Sequence, residues 1–291
     1  MESAKVRACG CCGGTNTVPI LSAPDRNAKK VDIFHCTRCC ALTPAYPPLT
    51  EHETNLAQQT TYHEQYWKSE SDADLQRIAD EMARMVAHFS ARLPAPGSQE
   101  PVYDIGAGRG NLTAALLRSG RNVFACEPSR TLAERAISVL QIPPDRLAIA
   151  TADEFLDARS ADKGKVKAIF LWHVLEHVDD AVALLRRVRD YLAPDGVLLC
   201  QGPLLDPQYV YREHLYLHSE SNIRWLAETA DLKPLKMNSQ DPVRFVSFTF
   251  ALPTHPDPAI PIVRLTDPLM ATGALYNTLA TTLARVRARL G

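Results

Sequence analysis

Three groups of residues have the types and spacing for chemistry. Asp104-Ile105-Gly106-Ala107-Gly108-Arg109-Gly110 sets three glycines at alternate positions after a β-branched and aromatic run, and a helical pattern begins at Asn111. Glycines let a ligand approach the backbone, and the first amides of a helix, with its dipole, favour a nucleotide-like molecule. Cys9-x-x-Cys12 and Cys36-x-x-Cys39 are two knuckles, each offering two thiolates in tetrahedral geometry, as structural zinc requires. Cys11 and Cys40 lie beside them, and each could stand in for a neighbour. His173-Val174-Leu175-Glu176-His177 collects imidazoles and a carboxylate, the groups of proton transfer near neutral pH.

These groups need elements to bring them together. Strand patterns at 101 to 105, 122 to 126, 146 to 150, 167 to 172 and 196 to 201 alternate with helical patterns at 111 to 119, 130 to 140, 180 to 192 and 220 to 230. Such alternation predicts a mostly parallel, doubly wound α/β sheet that binds ligands beyond the carboxyl ends of its strands. The glycine turn, Glu127-Pro128, Asp153-Glu154 and Trp172-His173 follow the first four strands in turn. A carboxylate at the end of the second is placed to accept ribose hydroxyls. Ahead of the sheet come an aromatic stretch with Tyr62, Tyr66 and Trp67, and an amphipathic helix over 72 to 93 with apolar residues at 75, 78, 82, 85, 86 and 89.

Composition narrows the classes. With 46% of 291 residues hydrophobic a large core can be buried, and a formal net charge of -1 gives no overall basic field for nucleic acid or an anionic membrane. Residues 1 to 50 carry six basic side chains against three acidic, +3, which four thiolates and a zinc ion would reduce to +1, a weak footprint for phosphate. Six of the eight cysteines fall in the first forty residues, which points to metal in a reducing compartment. With no apolar leader and no run of spanning length, the expected location is cytoplasmic.

On these motifs residues 100 to 252 resemble class I S-adenosylmethionine (SAM)-dependent methyltransferases; Asn111 stands where a dinucleotide fingerprint would place its third glycine. The resemblance implies a Rossmann-like, doubly wound seven-stranded sheet, closed by strands near 234 to 238 and 244 to 252. It implies that Asp104, Gly106, Gly108 and Gly110 take the methionine moiety, Glu127 the ribose and Asp153 the adenine edge, with Pro128, Glu154, Trp172, His173 and Tyr66 also on the donor side. A cysteine ribbon ahead of the domain and Tyr211-Arg212-Glu213-His214 beyond the fifth strand narrow the resemblance to sugar C-methyltransferases, without the large C-terminal domain of that family. By that carry-over Tyr211, Glu213, His177 and His214 face the acceptor, with His177 or His214 as general base and Glu213 orienting it.

Other readings compete. His173 to His177 also matches the inverted zinc-protease motif H-x-x-E-H, but a buried strand leads into it where that motif needs a helix. Ubiquinone-pathway O-methyltransferases, which hold magnesium with a Glu-His pair, are similar here, with His173 replacing the first acid of their set. The leading expectation is methylation of a small polar metabolite: a sugar, nucleotide sugar or biosynthetic intermediate. Its rivals are an RNA methyltransferase that recognises nucleic acid through the ribbon, a magnesium-dependent O-methyltransferase, and a non-catalytic cofactor-binding module. The expected division is a zinc ribbon over 1 to 48, linker and helix over 49 to 98, the methyltransferase domain over 99 to 252, and a C-terminal extension over 253 to 291. In that extension Leu275, Leu279, Leu283, Val286 and Leu290 form one apolar stripe that packs on its own domain or joins a homodimer.

Overall fold

The computed structural model describes residues 8–46, 71–238 and 245–260. The first segment folds as an antiparallel meander of β1 (Thr17–Pro24), β2 (Lys30–Cys36) and β3 (Leu42–Ala45). Its β1–β2 turn is built on the buried Asp25, whose Oδ1 accepts the N–H groups of Asn27 and Lys29 at 2.8 and 2.9 Å. Short Asp side chains mimic a backbone turn in this way.

Strands and helices then alternate, because each strand and each amphipathic helix must bury an apolar face. In chain order they are α1 (Asp72–His88), β4 (Pro101–Ile105), α2 (Asn111–Arg118), β5 (Asn122–Cys126), α3 (Arg130–Leu140), β6 (Leu147–Ala148), α4 (Ala152–Ala158) and β7 (Val166–Trp172). There follow α5 (Ala181–Arg189), β8 (Leu192–Pro203), α6 (Glu220–Thr229), β9 (Lys233–Asn238) and β10 (Phe245–Ala251). Seven strands form one sheet in the order β6-β5-β4-β7-β8-β10-β9, parallel except for β10. This is the doubly wound α/β sheet the alternation predicts.

The central strand β7 shows how both faces are covered. Ala168 and Phe170 pack with Val86, Leu112 and Leu116 on the side of α1 and α2, while Ile169 and Leu171 pack with Leu185, Val188 and Leu226 on the side of α5 and α6. A strand buried on both faces is apolar throughout rather than alternating. The N-terminal meander docks on the second side: Leu42 and Leu217 exchange backbone hydrogen bonds of 3.1 and 2.7 Å, and Cys9, Cys11, Cys36 and Cys39 share a core with Tyr216 and Ile223.

Several boundaries differ from the sequence reading, among them α5, which ends at Arg189 and not at 192, and β8, which runs over Leu192–Pro203 and not 196 to 201. The first helix ends at His88 rather than 93, where the chain tightens into a 3-10 turn at Ser90–Arg92 ahead of Pro94. The third sheet strand pairs only over Leu147–Ala148, because the chain leaves the edge to place Thr151 as the N-cap of α4. Tyr62, Tyr66, Trp67 and the apolar stripe from Leu275 to Leu290 lie outside the described residues. Among the described residues no helix is long and apolar enough to cross a membrane.

Candidate functional site

The glycine turn connects β4 to α2, with Gly106, Gly108 and Gly110 all at positive φ. Gly106 and Gly110 are needed for packing, since a Cβ on either would come within 2.7 Å of Val174 or Ala136. A Cβ on Gly108 would meet nothing within 4 Å, so this is the open face of the turn. The amides do not project free as the sequence suggested. Gly106 and Ala107 donate to the Cys126 carbonyl at 3.0 and 2.9 Å, and Gly110 to that of Ala107 at 2.9 Å. Although only Gly110 of the turn is buried, these amides are satisfied within the protein. Gly108 N–H donates to Glu127 Oε2 and Ser129 N–H to Glu127 Oε1, both at 2.8 Å, so the largely buried carboxylate is held beside the open face.

The other donor-side residues are spread around this centre. Asp104 lies beneath the turn, 1% exposed, and accepts a 2.6 Å bond from Thr113 Oγ1; burial raises its pKa to about 6, with Glu127 adding to the shift. Pro128 is exposed in the loop after β5. Asp153 pairs with Arg187 at 2.9 Å, and Glu154 closes a capping box by accepting from the Thr151 N–H at 2.8 Å. The Trp172 ring meets Phe89 edge-on at 6.2 Å and lines a cavity of about 210 Å³ under the C-terminal end of α1, with Gln201, Lys236, Ser247 and Thr249.

After β7 the chain turns sharply. His173 takes φ 58°, unusual for a residue with a Cβ, and a 3-10 turn at Leu175–His177 follows. The two nitrogens of His173 meet Glu176 Oε1 at 3.1 Å and Gln201 Oε1 at 3.0 Å. Glu176 is fully buried, and its Oε2 has no hydrogen-bond partner. Burial alone would raise its pKa, yet the hydrogen bond with His173 and the surrounding imidazoles hold the carboxyl well below the usual range. His214 Nε2 lies 3.9 Å from Glu176 Oε1, and its Nδ1 donates to the Tyr209 carbonyl at 2.7 Å. Burial lowers His214 to about 3, so the ring is neutral at pH 7.

His177 and His214 have ring centroids 4.7 Å apart, and Tyr211 lies against His214 with centroids 3.8 Å apart and planes tilted by 35°. The structure thus brings together Tyr211, His177 and His214 from two distant segments. Glu213 contributes differently from the expectation, because its main-chain carbonyl, at 3.0 Å, accepts from His177 Nδ1. Any residue type supplies that carbonyl, so the spacing could not separate the two roles. Glu176, weighed in the sequence only as a metal ligand, is the carboxylate at the centre of the cluster, between His173 and His214. One ligand atom each from Glu176, His177 and His214 lie within 4.8 Å, but two nitrogens and one oxygen are a poor set for magnesium and suit a softer divalent ion.

The second cluster is the knuckle pair. The sulfurs of Cys9, Cys12, Cys36 and Cys39 all lie within 4.8 Å of one another, with Cys9–Cys39 at 3.5 Å and Cys12–Cys36 at 3.7 Å. Cys11 and Cys40 stay outside this set: Cys11 Sγ accepts from Asn222 Nδ2 at 3.4 Å, and the Cys40 carbonyl accepts from Ser219 Oγ at 2.8 Å. Four convergent thiols fit a tetrahedral zinc ion.

A family model described as a methyltransferase domain matches residues 74–236, more than half of the chain. The chain belongs to this family. The chain is 32% identical over 127 residues to a ubiquinone biosynthesis O-methyltransferase of Cereibacter sphaeroides, covering 43% of this chain and 48% of that protein. The enzyme of the same name from Xanthomonas campestris is 25% identical over 150 residues, 50% of this chain and 59% of that one. The chain thus spans about half the length of the curated relatives it matches. A SAM-dependent methyltransferase from Leishmania major has the same fold, with a TM-score of 0.52 at 16% identity over 80% of this chain and 96% of that one.

Proposed function

We propose that this chain is a SAM-dependent methyltransferase acting on a small polar metabolite such as a sugar, a nucleotide sugar or another biosynthetic intermediate. The observation that carries this reading is the pairing, at one end of the sheet, of an amide-held carboxylate at an open glycine with a buried carboxylate flanked by histidines. The open face at Gly108 and the oriented Glu127 fit a donor nucleoside, with Glu127 accepting ribose hydroxyls and Gly106 to Gly110 lining the methionine end. When bound, SAM supplies a methyl group on a sulfonium, so the protein's task is to align an acceptor and remove its proton.

His177 is the best-placed base. Donation from Nδ1 to the Glu213 carbonyl leaves the lone pair on Nε2, and the half-buried ring is more accessible than His214. Glu176 stabilises positive charge arising on the imidazole, and Tyr211 and His214 complete the wall. Zinc on Cys9, Cys12, Cys36 and Cys39 would be structural, since four thiolates leave no open coordination position.

The test is incubation with methyl-labelled SAM and a polar small-molecule extract, followed by mass spectrometry of what gains the label. His177→Ala should lower label transfer about a hundredfold with the affinity for S-adenosylhomocysteine unchanged. If neither this variant nor His214→Ala loses more than a few-fold, the base assignment fails. A second reading, favoured by the convergence of Glu176, His177 and His214, places a divalent cation there. Undiminished transfer by protein holding only one equivalent of zinc excludes it.

A further inference from the structure

The N-terminal meander grips the segment that carries Tyr211 and His214 along its whole length. Arg26 N–H donates to the Val210 carbonyl at 3.1 Å, and the Leu42–Leu217 bridge follows. Further on, Ser219 Oγ donates to the Cys40 carbonyl and Asn222 Nδ2 to that of Cys39, at 2.8 and 3.1 Å. Gly10 lies so close to the Leu215 carbonyl that a Cβ would overlap it. On the other side, Leu215 N–H donates to the Glu176 carbonyl at 2.8 Å. The segment is therefore clamped between the cysteine unit and the turn that bears Glu176 and His177.

One side chain of the cysteine unit reaches further. The guanidinium carbon of Arg26 lies 3.4 Å from the centroid of the Tyr211 ring, and the His214 ring lies 3.8 Å from it. Two groups that close to one centroid must occupy opposite faces, so Tyr211 is sandwiched between a cation and an imidazole. The cation is itself fixed, because Arg26 follows the buried Asp25, which takes two amides of its own turn and the Tyr46 hydroxyl at 3.2 Å. A planar guanidinium on an aromatic face combines stacking with attraction to the ring quadrupole.

We propose that Arg26 is a positioning residue for methyl transfer: by pressing Tyr211 onto His214 it fixes the acceptor wall, which makes the cysteine unit a working part of that site. The inference rests on the acceptor side assigned above. It gives the N-terminal unit an inward task, turned toward the acceptor rather than toward a separate partner. Without Arg26 the ring of Tyr211 loses its outer plate and is no longer pressed against His214, whose own Nδ1 stays bonded to the Tyr209 carbonyl.

The test compares wild type, Arg26→Ala and Arg26→Lys by three measurements on the zinc-bound full chain. These are S-adenosylhomocysteine affinity by calorimetry, label transfer from SAM into the polar extract, and the chemical shift of the His214 Hε1 proton, assigned by its loss in His214→Gln. Tyr211 stacked on His214 shifts that proton upfield by its ring current. Arg26→Ala should leave S-adenosylhomocysteine affinity unchanged, lower label transfer about tenfold or more, and move the Hε1 resonance downfield. Arg26→Lys, which keeps the charge without the plane, should recover part of both. Wild-type transfer by Arg26→Ala, or an unmoved resonance, overturns the proposal. If wild type labels nothing in any extract, the reading of a small polar metabolite as acceptor fails by itself. The resonance then decides the clamp, upheld if it moves and overturned if it stays. Should Arg26→Ala fail to fold, the same comparison is made with Arg26→Lys.

Discussion

Asp104 shows what a single buried group does to this protein. Its pKa rises from 3.8 to about 6, chiefly because burial penalises the charged carboxylate. Between those values the unfolded chain is ionised while the folded one keeps the proton, so folding stability falls as pH rises through this window. The penalty is fully present above about 6. Asp104→Asn keeps an acceptor for Thr113 Oγ1 and removes the penalty, so it should stabilise the protein by roughly 3 kcal/mol at pH 7 and by little below pH 4. Urea unfolding at several pH values measures this; a gain independent of pH contradicts the assignment. Asp104 was legible as the first residue of the glycine motif, but that it bonds to Thr113 rather than facing the cleft was not, since nine residues of turn and helix separate the two.

At the scale of elements, the glycine turn sets the angle between β4 and α2. Gly110 is the N-cap of α2 in the left-handed region, and its α-carbon faces Ala136 and Ile142. Gly110→Ala adds backbone strain and a clash at once, and should cost about 2 to 4 kcal/mol. Thermal unfolding would show it, and a loss below about 0.5 kcal/mol would mean that α3 can move aside. The strands β4 and β5 and the helix α3 fall where the sequence pattern put them, because their periodicity and caps are local. The edge strand β6 was overestimated, since pairing at an edge depends on a neighbour rather than on residue type. Glu154 has a local task as well: just after this strand, it closes the capping box on the first turn of its own helix.

For the whole molecule, the question is how the cysteine unit and the methyltransferase sheet depend on each other. Cys9, Cys11, Cys36 and Cys39 belong to the same core as Tyr216, Ile223 and Phe248, and Asn222 joins α6 to both knuckles through Cys11 and Cys39. Four thiolates gathered this closely repel one another without a cation. Stripping zinc should therefore loosen the sheet as well as the meander, lowering the melting temperature of the entire chain by more than about 5 °C. Calorimetry before chelation, after it, and after zinc is restored tests this. An unchanged main transition would show that the two parts unfold independently.

The amino-acid sequence by itself determined the order of strands and helices, the glycine turn with Glu127 beside it, and the four cysteines that converge. All of these follow from periodicity, from caps, or from residues close along the chain. The tertiary structure alone decided that His177 meets the Glu213 carbonyl, 36 residues on, and that His214 comes beside the buried carboxylate of Glu176, far from it along the chain. It alone placed Arg26 across the Tyr211 ring. Such contacts depend on how strand ends, loops and a docked meander stack in space, and no local spacing encodes that arrangement.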